Sequence, residues 1–205
     1  NWDEVYAYTN AEGGLIQPDA QPGDFRYKDL DGNGSITAEG DRANLGKCVP
    51  SWTYGINASI DWKGIDFSMV WQGVAGNKIF DATRRTDIPT MNQPKYVLNR
   101  WTGEGSTNEY PRFTVTDPNQ NWSKASDFFI KDASYFRLKN VTLGYTLPAK
   151  WTNKVFVKKL RVYVACENAL TFTKYDGFDP EIADYVDRGI YPQSRTVQFG
   201  ASITF

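Results

Sequence analysis

The chain has 205 residues, 40% of them apolar and 15% aromatic, which is enough hydrophobic material for a packed core or a greasy surface and excludes a disordered chain. Its 23 basic and 24 acidic residues balance, so the cationic footprint that a phosphate backbone demands is missing and nucleic acid is excluded as a leading partner. There is no histidine, which removes Ser-His and Cys-His nucleophiles, His-ligated zinc and the usual proton shuttle near neutral pH. Any catalysis would rest on carboxylates, and the chain is read as a non-enzyme.

Cys48 and Cys166 lack the CxxC spacing of a thiolate site and are read as unrelated thiols. The opening Asn1-Trp2-Asp3-Glu4 has no initiator methionine and no basic or apolar leader, as expected of a mature protein or an internal fragment. No apolar run approaches the roughly 20 residues of a membrane-spanning helix. Barrels escape that exclusion, because a strand alternating between lipid and lumen averages to a polar hydropathy.

Residues 1–51 show no strand period but contain Asp29-Leu30-Asp31-Gly32-Asn33-Gly34-Ser35-Ile36-Thr37. Side-chain oxygens on alternate residues (Asp29, Asp31, Asn33), then a glycine, a backbone carbonyl and an apolar residue form the first half of an EF-hand-type calcium loop. The expected closing position is Gly40 rather than an acid, and Asp41 is the candidate one place later, with Glu39 just before. The candidate ligands are Asp29, Asp31, Asn33, Ser35, Thr37 and Asp41, holding a structural calcium that orders a loop with little apolar packing. A metal-free turn rich in Asx side chains is the competing reading.

Five segments then alternate with period two. Trp52, Tyr54, Ile56, Ala58 and Ile60 share one face against Thr53, Gly55, Asn57, Ser59 and Asp61. After a tight Trp62-Lys63-Gly64 turn, Ile65, Phe67, Met69 and Trp71 oppose Asp66, Ser68 and Gln72, which reads as a hairpin. The third segment starts near Tyr135 and ends at Pro148. Phe136 and Leu138 keep one phase and Val141, Leu143, Tyr145 and Leu147 the other, so a bulge is expected near Lys139-Asn140. The fourth sets Val162, Val164 and Cys166 against Arg161, Tyr163, Ala165 and Glu167, with an irregularity near Asn168 before Leu170 and Phe172. The fifth alternates Val197, Phe199, Ala201, Ile203 and Phe205 with Thr196, Gln198, Gly200, Ser202 and Thr204. Helical turns are confined to Asp127 to Lys131 or Lys150 to Lys154.

Short and long links alternate. A link of about sixty residues, from Gly73 to Ala133, is rare in a compact soluble domain but ordinary outside an outer-membrane barrel. Lys174 to Gln193 is a second long link, and the chain before Trp52 a third external region, which leaves Phe205 periplasmic. Trp101, Tyr110, Trp122, Tyr175 and Tyr185 lie in these links and are candidate substrate contacts, their alternative being packing within the loops. Asp176, Asp179, Glu181, Asp184 and Asp187 cluster in the second link and read as solvated or partner-contacting acids rather than a glycosidase pair. Arg137, Lys139, Arg161 and Glu167 fall on polar strand faces, where charges satisfy one another or water. Alternation alone also fits a β-sandwich, in which Val197, Phe199 and Ile203 would lie under a second layer. Large aromatics at the strand ends and the loop asymmetry favour the barrel.

Several blocks together resemble SusC-like and RagA-like TonB-dependent outer-membrane transporters. They are Gly23-Asp24-Phe25-Arg26-Tyr27-Lys28-Asp29 through Thr37 with Asp41-Arg42, then Trp52 to Asn57, Phe67 to Gly76, Tyr135 to Pro148, Leu160-Arg161-Val162-Tyr163 with Glu167-Asn168, Tyr175 to Glu181, and Tyr191-Pro192-Gln193. The resemblance implies an all-β fold: the C-terminal antiparallel strands of a large transmembrane barrel of about 22 strands, with long extracellular loops. Residues 1–205 would be the C-terminal portion of that barrel. Residues 1–51 would form an extracellular loop region with the calcium-like loop, and 52–205 the last five strands and their loops, the plug domain lying outside this chain. It implies import of oligosaccharides or peptides across the bacterial outer membrane, energised through TonB and capped by a SusD-like surface lipoprotein. Five strands cannot close a barrel, since an open edge in lipid strands unpaired backbone groups, so the plug, the other strands and membrane lipid are expected partners. The competing class is a soluble calcium-dependent carbohydrate-binding β-sandwich module.

Overall fold

The alternating segments become one antiparallel sheet. The computed structural model describes residues 1–84 and 92–205. Strands β1 (Trp52–Trp62), β2 (Ile65–Ala75), β5 (Tyr135–Thr146), β6 (Lys159–Thr173) and β8 (Thr196–Thr204) pair in the order β1-β2-β5-β6-β8. The β1–β2 hairpin closes through Lys63 and Gly64, both at positive φ (49° and 90°), as a two-residue turn matched to strand twist requires. Gly64 has a second reason to lack a side chain, because a Cβ there would stand 2.8 Å from the Thr146 carbonyl.

The phase slip expected near Lys139 is a bulge. Lys139 pairs with neither neighbouring strand, and the extra residue returns Phe136, Leu138, Val141, Leu143 and Tyr145 to one face. Asn168 across from it takes φ 50°. Register then assembles cross-strand rows on that face: Trp62-Ile65-Tyr145-Val162-Ala201, Ile60-Phe67-Leu143-Val164-Phe199, and Ala58-Met69-Val141-Cys166-Val197. Aromatic rings gather at one end of this face, where Trp71 stacks on Phe136 at 4.6 Å and Tyr54 lies 5.7 Å from Phe136. Trp62 and Tyr145 mark the other end. Among the described residues nothing covers the face: Val197, Phe199 and Ile203 are 54%, 83% and 52% exposed. The sandwich reading is therefore corrected, because its second layer is missing.

The hairpin turn, the link containing α2 (Ala149–Thr152) and Phe205 all lie at one end of this sheet, and the long connections leave from the other. The long connections carry structure that alternation did not reveal. β3 (Lys78–Asp81), β4 (Ile130–Asp132) and β7 (Val186–Asp187) form a small second sheet in the order β4-β3-β7, with β7 parallel to β3. Ile79, Ala133, Tyr175 and Ile182 pack beneath it as a small core, with Tyr185 against them. Both sheets belong to one compact unit, Gly46–Ala82 with Ile130–Phe205.

The other unit combines Asn1–Leu45 with Thr83–Phe129. It opens with the helix α1 (Trp2–Ala7), whose capping box pairs Asn1 and Glu4. An aromatic nest fills its interior: Trp122 contacts Tyr96, Phe113 and Phe128, with ring centroids 5.6–6.2 Å away. Beside the nest, Gln17, Asn119 and Asn121 form a buried amide network. Asn121 accepts the Phe25 amide (2.9 Å) and donates to Asp24 (2.6 Å), and Arg112 grips the same Asp24 carboxylate at 2.5 and 3.0 Å. Arg112 and Asp24 thus neutralise each other, which keeps the low-dielectric cost of burying the carboxylate in check.

Candidate functional site

The Asp29 loop folds as a chain of Asx turns. Asp29 accepts the amides of Gly32 (2.7 Å) and Gly34 (2.8 Å), and Asp31 accepts that of Asn33 (3.1 Å). Asp41 does close the loop despite its one-residue displacement: its carboxylate accepts Leu30 N at 2.6 Å and Thr37 N at 2.7 Å. Those two backbone donors hold the Asp41 carboxyl below the usual carboxylate range. Carboxylate oxygens of Asp29, Asp31 and Asp41 lie within 4.8 Å of one another. Gly40 makes room for them, since a Cβ there would collide with the Asp31 carboxylate. Each carboxylate keeps lone pairs beyond those given to backbone N–H groups, so the donor set suits a hard, oxygen-seeking cation. Asn33 donates to Asp31 Oδ2 at 2.8 Å and accepts the Ser35 hydroxyl at 2.7 Å, and the Thr37 hydroxyl accepts Gly40 N, so the three side chains line the same loop.

The proposed substrate aromatics divide between the two units, and two of them are core residues. Trp122 is 4% exposed, and its Nε1 donates to the Arg112 carbonyl at 2.9 Å. Tyr175 is 7% exposed and donates to the fully buried Asp187; burial first, then that acid, push its phenol upward. Tyr185 packs on the same small core. Trp101 lies against Gly23, and Tyr110 is half-buried, stacked 6.0 Å from Tyr96. Trp122 and Tyr175 are thus packing residues, whereas Trp101, Tyr110 and Tyr185 stay partly exposed. The strongly exposed aromatics of the long loops are instead Phe178 (69%) and Tyr191 (90%), which sequence reading passed over because a ring in a loop carries no burial signal.

The loop acids are not a free cluster either. Arg137, on the polar face of β5 and 3% exposed, donates to Asp179 (2.7 Å), Glu181 (3.0 Å) and Thr171 (2.9 Å), and Lys139 reaches Glu181 at 2.6 Å. Burial raises the Asp179 carboxyl, but hydrogen bonds from Arg137 and from the amides of Gln193 and Glu181 prevail and hold it below the usual range. Asp184 pairs with Arg188 (2.8 Å) and Asp176 with Lys131 (3.9 Å). Further along the polar face, Arg161 spans β5 to reach Asp66 at 2.5 and 2.8 Å. It passes over Gly144, where a Cβ would intrude on both partners. Glu167 is exposed on the same face.

An apolar face left open across five antiparallel strands, a polar face with its own ion pairs, and links short at one end and long at the other define part of an outer-membrane β-barrel wall. Comparison with known proteins agrees. The chain is 32% identical over 204 residues to TonB-dependent receptor P3 of Formosa agariphila, matching 93% of this chain and 20% of that protein. It is 30% identical to TonB-dependent receptor P26 of the same organism, over 94% of this chain and 20% of that protein. TonB-dependent receptor SusC of Bacteroides thetaiotaomicron matches at 25% identity, over 93% of this chain and 18% of that protein. Two solved structures share the fold: the RagAB peptide importer in the 'open-open' state (25% identity, TM-score 0.68, 87% of this chain and 20% of that one) and the RagAB peptide transporter (26%, 0.69, 84% and 19%). No protein-family model matches. The chain spans about a fifth of the length of these relatives, and over that stretch it is similar to SusC-like and RagA-like TonB-dependent receptors.

Proposed function

We propose that the complete protein imports oligosaccharides or peptides across the bacterial outer membrane, driven through TonB and working with a SusD-like surface lipoprotein. The observation that carries this reading is the uncovered apolar face with unpaired edges at β1 and β8, which only further strands of a barrel in lipid can satisfy. In this reading residues 1–51 and the long links are external, Phe205 is periplasmic, and the plug and remaining strands come from the rest of the protein. The peptide importer among the structural neighbours supports the peptide class, and the oligosaccharide class and the lipoprotein partner rest on the resemblance carried by the sequence blocks. The Asp29 loop holds calcium through Asp29, Asp31 and Asp41, as a structural ion that ties an external loop rather than a substrate contact.

The test is uptake by cells carrying the complete protein, with peptide and maltooligosaccharide mixtures as probes. Uptake of one mixture that disappears when TonB is deleted, together with co-purification of a surface lipoprotein, is expected. Uptake indifferent to TonB would overturn the reading. Calorimetry with calcium on the purified protein judges the ion separately, and absence of heat that depends on Asp41 removes it.

A further inference from the structure

Asp179 occupies an unusual place among the loop acids. Its Oδ1 accepts Arg137 Nη2 (2.7 Å) and the Glu181 amide (2.9 Å), while Oδ2 accepts the Gln193 amide (2.9 Å). One carboxylate thus joins the outgoing limb of the 174–195 loop, the returning limb and the polar face of β5. Both partners of the ion pair are almost wholly buried, with side chains 3% and 4% exposed. Of the other acids of the loop, Asp184 meets Arg188 four residues on, Asp187 meets Tyr175, Asp176 reaches Lys131, and Glu181 shares Arg137 and Lys139 but is the more exposed partner.

We propose that Asp179 is the positioning residue of the 174–195 loop, latched to the wall by Arg137, and that the latch presets Phe178 and Tyr191 as outward-facing rings. The proposal rests on the reading that the polar face lines the transporter interior. Phe178 is the neighbour of Asp179 in the chain, and Tyr191 stands two residues before Gln193, so both rings hang directly from the anchored points. Lys139 braces the latch through Glu181, itself about a third exposed, and is the weaker member. A loop fixed in this way meets a ligand with its ordering entropy already lost, which favours affinity.

The test is amide hydrogen exchange on the complete transporter in lipid discs, which needs no substrate. Arg137→Met should speed exchange across 174–195 by at least about tenfold, because it leaves the Asp179 carboxylate buried without its counter-charge. The double variant Arg137→Met with Asp179→Asn should be milder than Arg137→Met alone, a rescue that generic damage to the wall would not produce. Lys139→Met should change exchange by less than about threefold, as expected of a partly exposed pair. Phe178→Ala with Tyr191→Ala should leave exchange unchanged. Should Arg137→Met fail to assemble, Asp179→Asn alone keeps the shape and should open the same residues, less strongly. Wild-type exchange in Asp179→Asn, or opening that spreads equally into Thr196–Thr204, would overturn the latch. TonB-dependent uptake by the unaltered protein judges the import reading separately.

Discussion

Arginine scanning along β5 tests the membrane assignment most sharply, because this strand carries its own aromatic markers at both ends of the apolar face. Phe136 stands near one end, Tyr145 near the other, and Val141 midway. Four residues at about 3.4 Å place Val141 some 14 Å along the strand from Tyr145, or about 10 Å in depth at a barrel tilt of about 40°. Val141→Arg therefore puts a guanidinium near the bilayer midplane, at a cost of about 2–4 kcal/mol, whereas Tyr145→Arg lets it snorkel to the interface at about 0–1 kcal/mol beyond the lost ring packing. Asn57→Arg on the opposite, polar face should stay within about 0.5 kcal/mol, since that side chain is exposed and faces water. The assay is urea unfolding of the complete transporter in lipid vesicles. Midplane and interface substitutions of equal cost would refute the reasoning, because burial beneath protein penalises both alike while lipid grades them by depth.

Other consequences follow from single residues. The depressed Asp41 carboxyl contributes order that is whole above the free aspartate value of about 3.9 and lost as pH falls through its lower folded value. With Asp29, Asp31 and Lys124 as its charged neighbours, protease protection of residues 29–41 should hold at pH 5 and vanish only in stronger acid; loss already at pH 5 would count against the hydrogen-bonded closure. Trp122→Ala should destabilise the first unit by about 3–5 kcal/mol, read as faster exchange in residues 96–128; lost uptake with normal exchange would return Trp122 to a substrate role. Gly64→Ala should cost about 1–3 kcal/mol, because the new Cβ meets the rigid Thr146 carbonyl and the turn needs positive φ. Gly144→Ala should cost less, since it displaces only the partly exposed ends of Asp66 and Arg161, and thermal melts of the two variants should rank accordingly.

Strand content was legible residue by residue because alternation is local. Trp52 to Ile60 and Val197 to Phe205 declare their two faces in the chain itself, and the slip between Leu138 and Val141 declares a bulge. Gly64 likewise announced its turn. The small sheet was illegible, since strands of two to four residues cannot show a period and β7 meets β3 in parallel from more than a hundred residues away. Within the calcium-like loop the motif located Asp29, Asp31 and Asp41, but only coordinates showed that Asn33 bonds Asp31 and Ser35 while the Thr37 hydroxyl accepts a backbone amide. A tryptophan in a loop looks the same in sequence whether it is buried or presented, so Trp122 was offered as a contact and Phe178 was not.

The amino-acid order therefore settled the kind of element and the chemistry of each face, which depend on neighbours one or two residues apart. Folding alone settled what lies above those faces and which charges meet: Arg137 with Asp179 across 42 residues, Arg161 with Asp66 across 95, and, among the described residues, nothing over Phe199. Cover and pairing between distant stretches are properties of chain path, and no periodicity within a strand encodes that path.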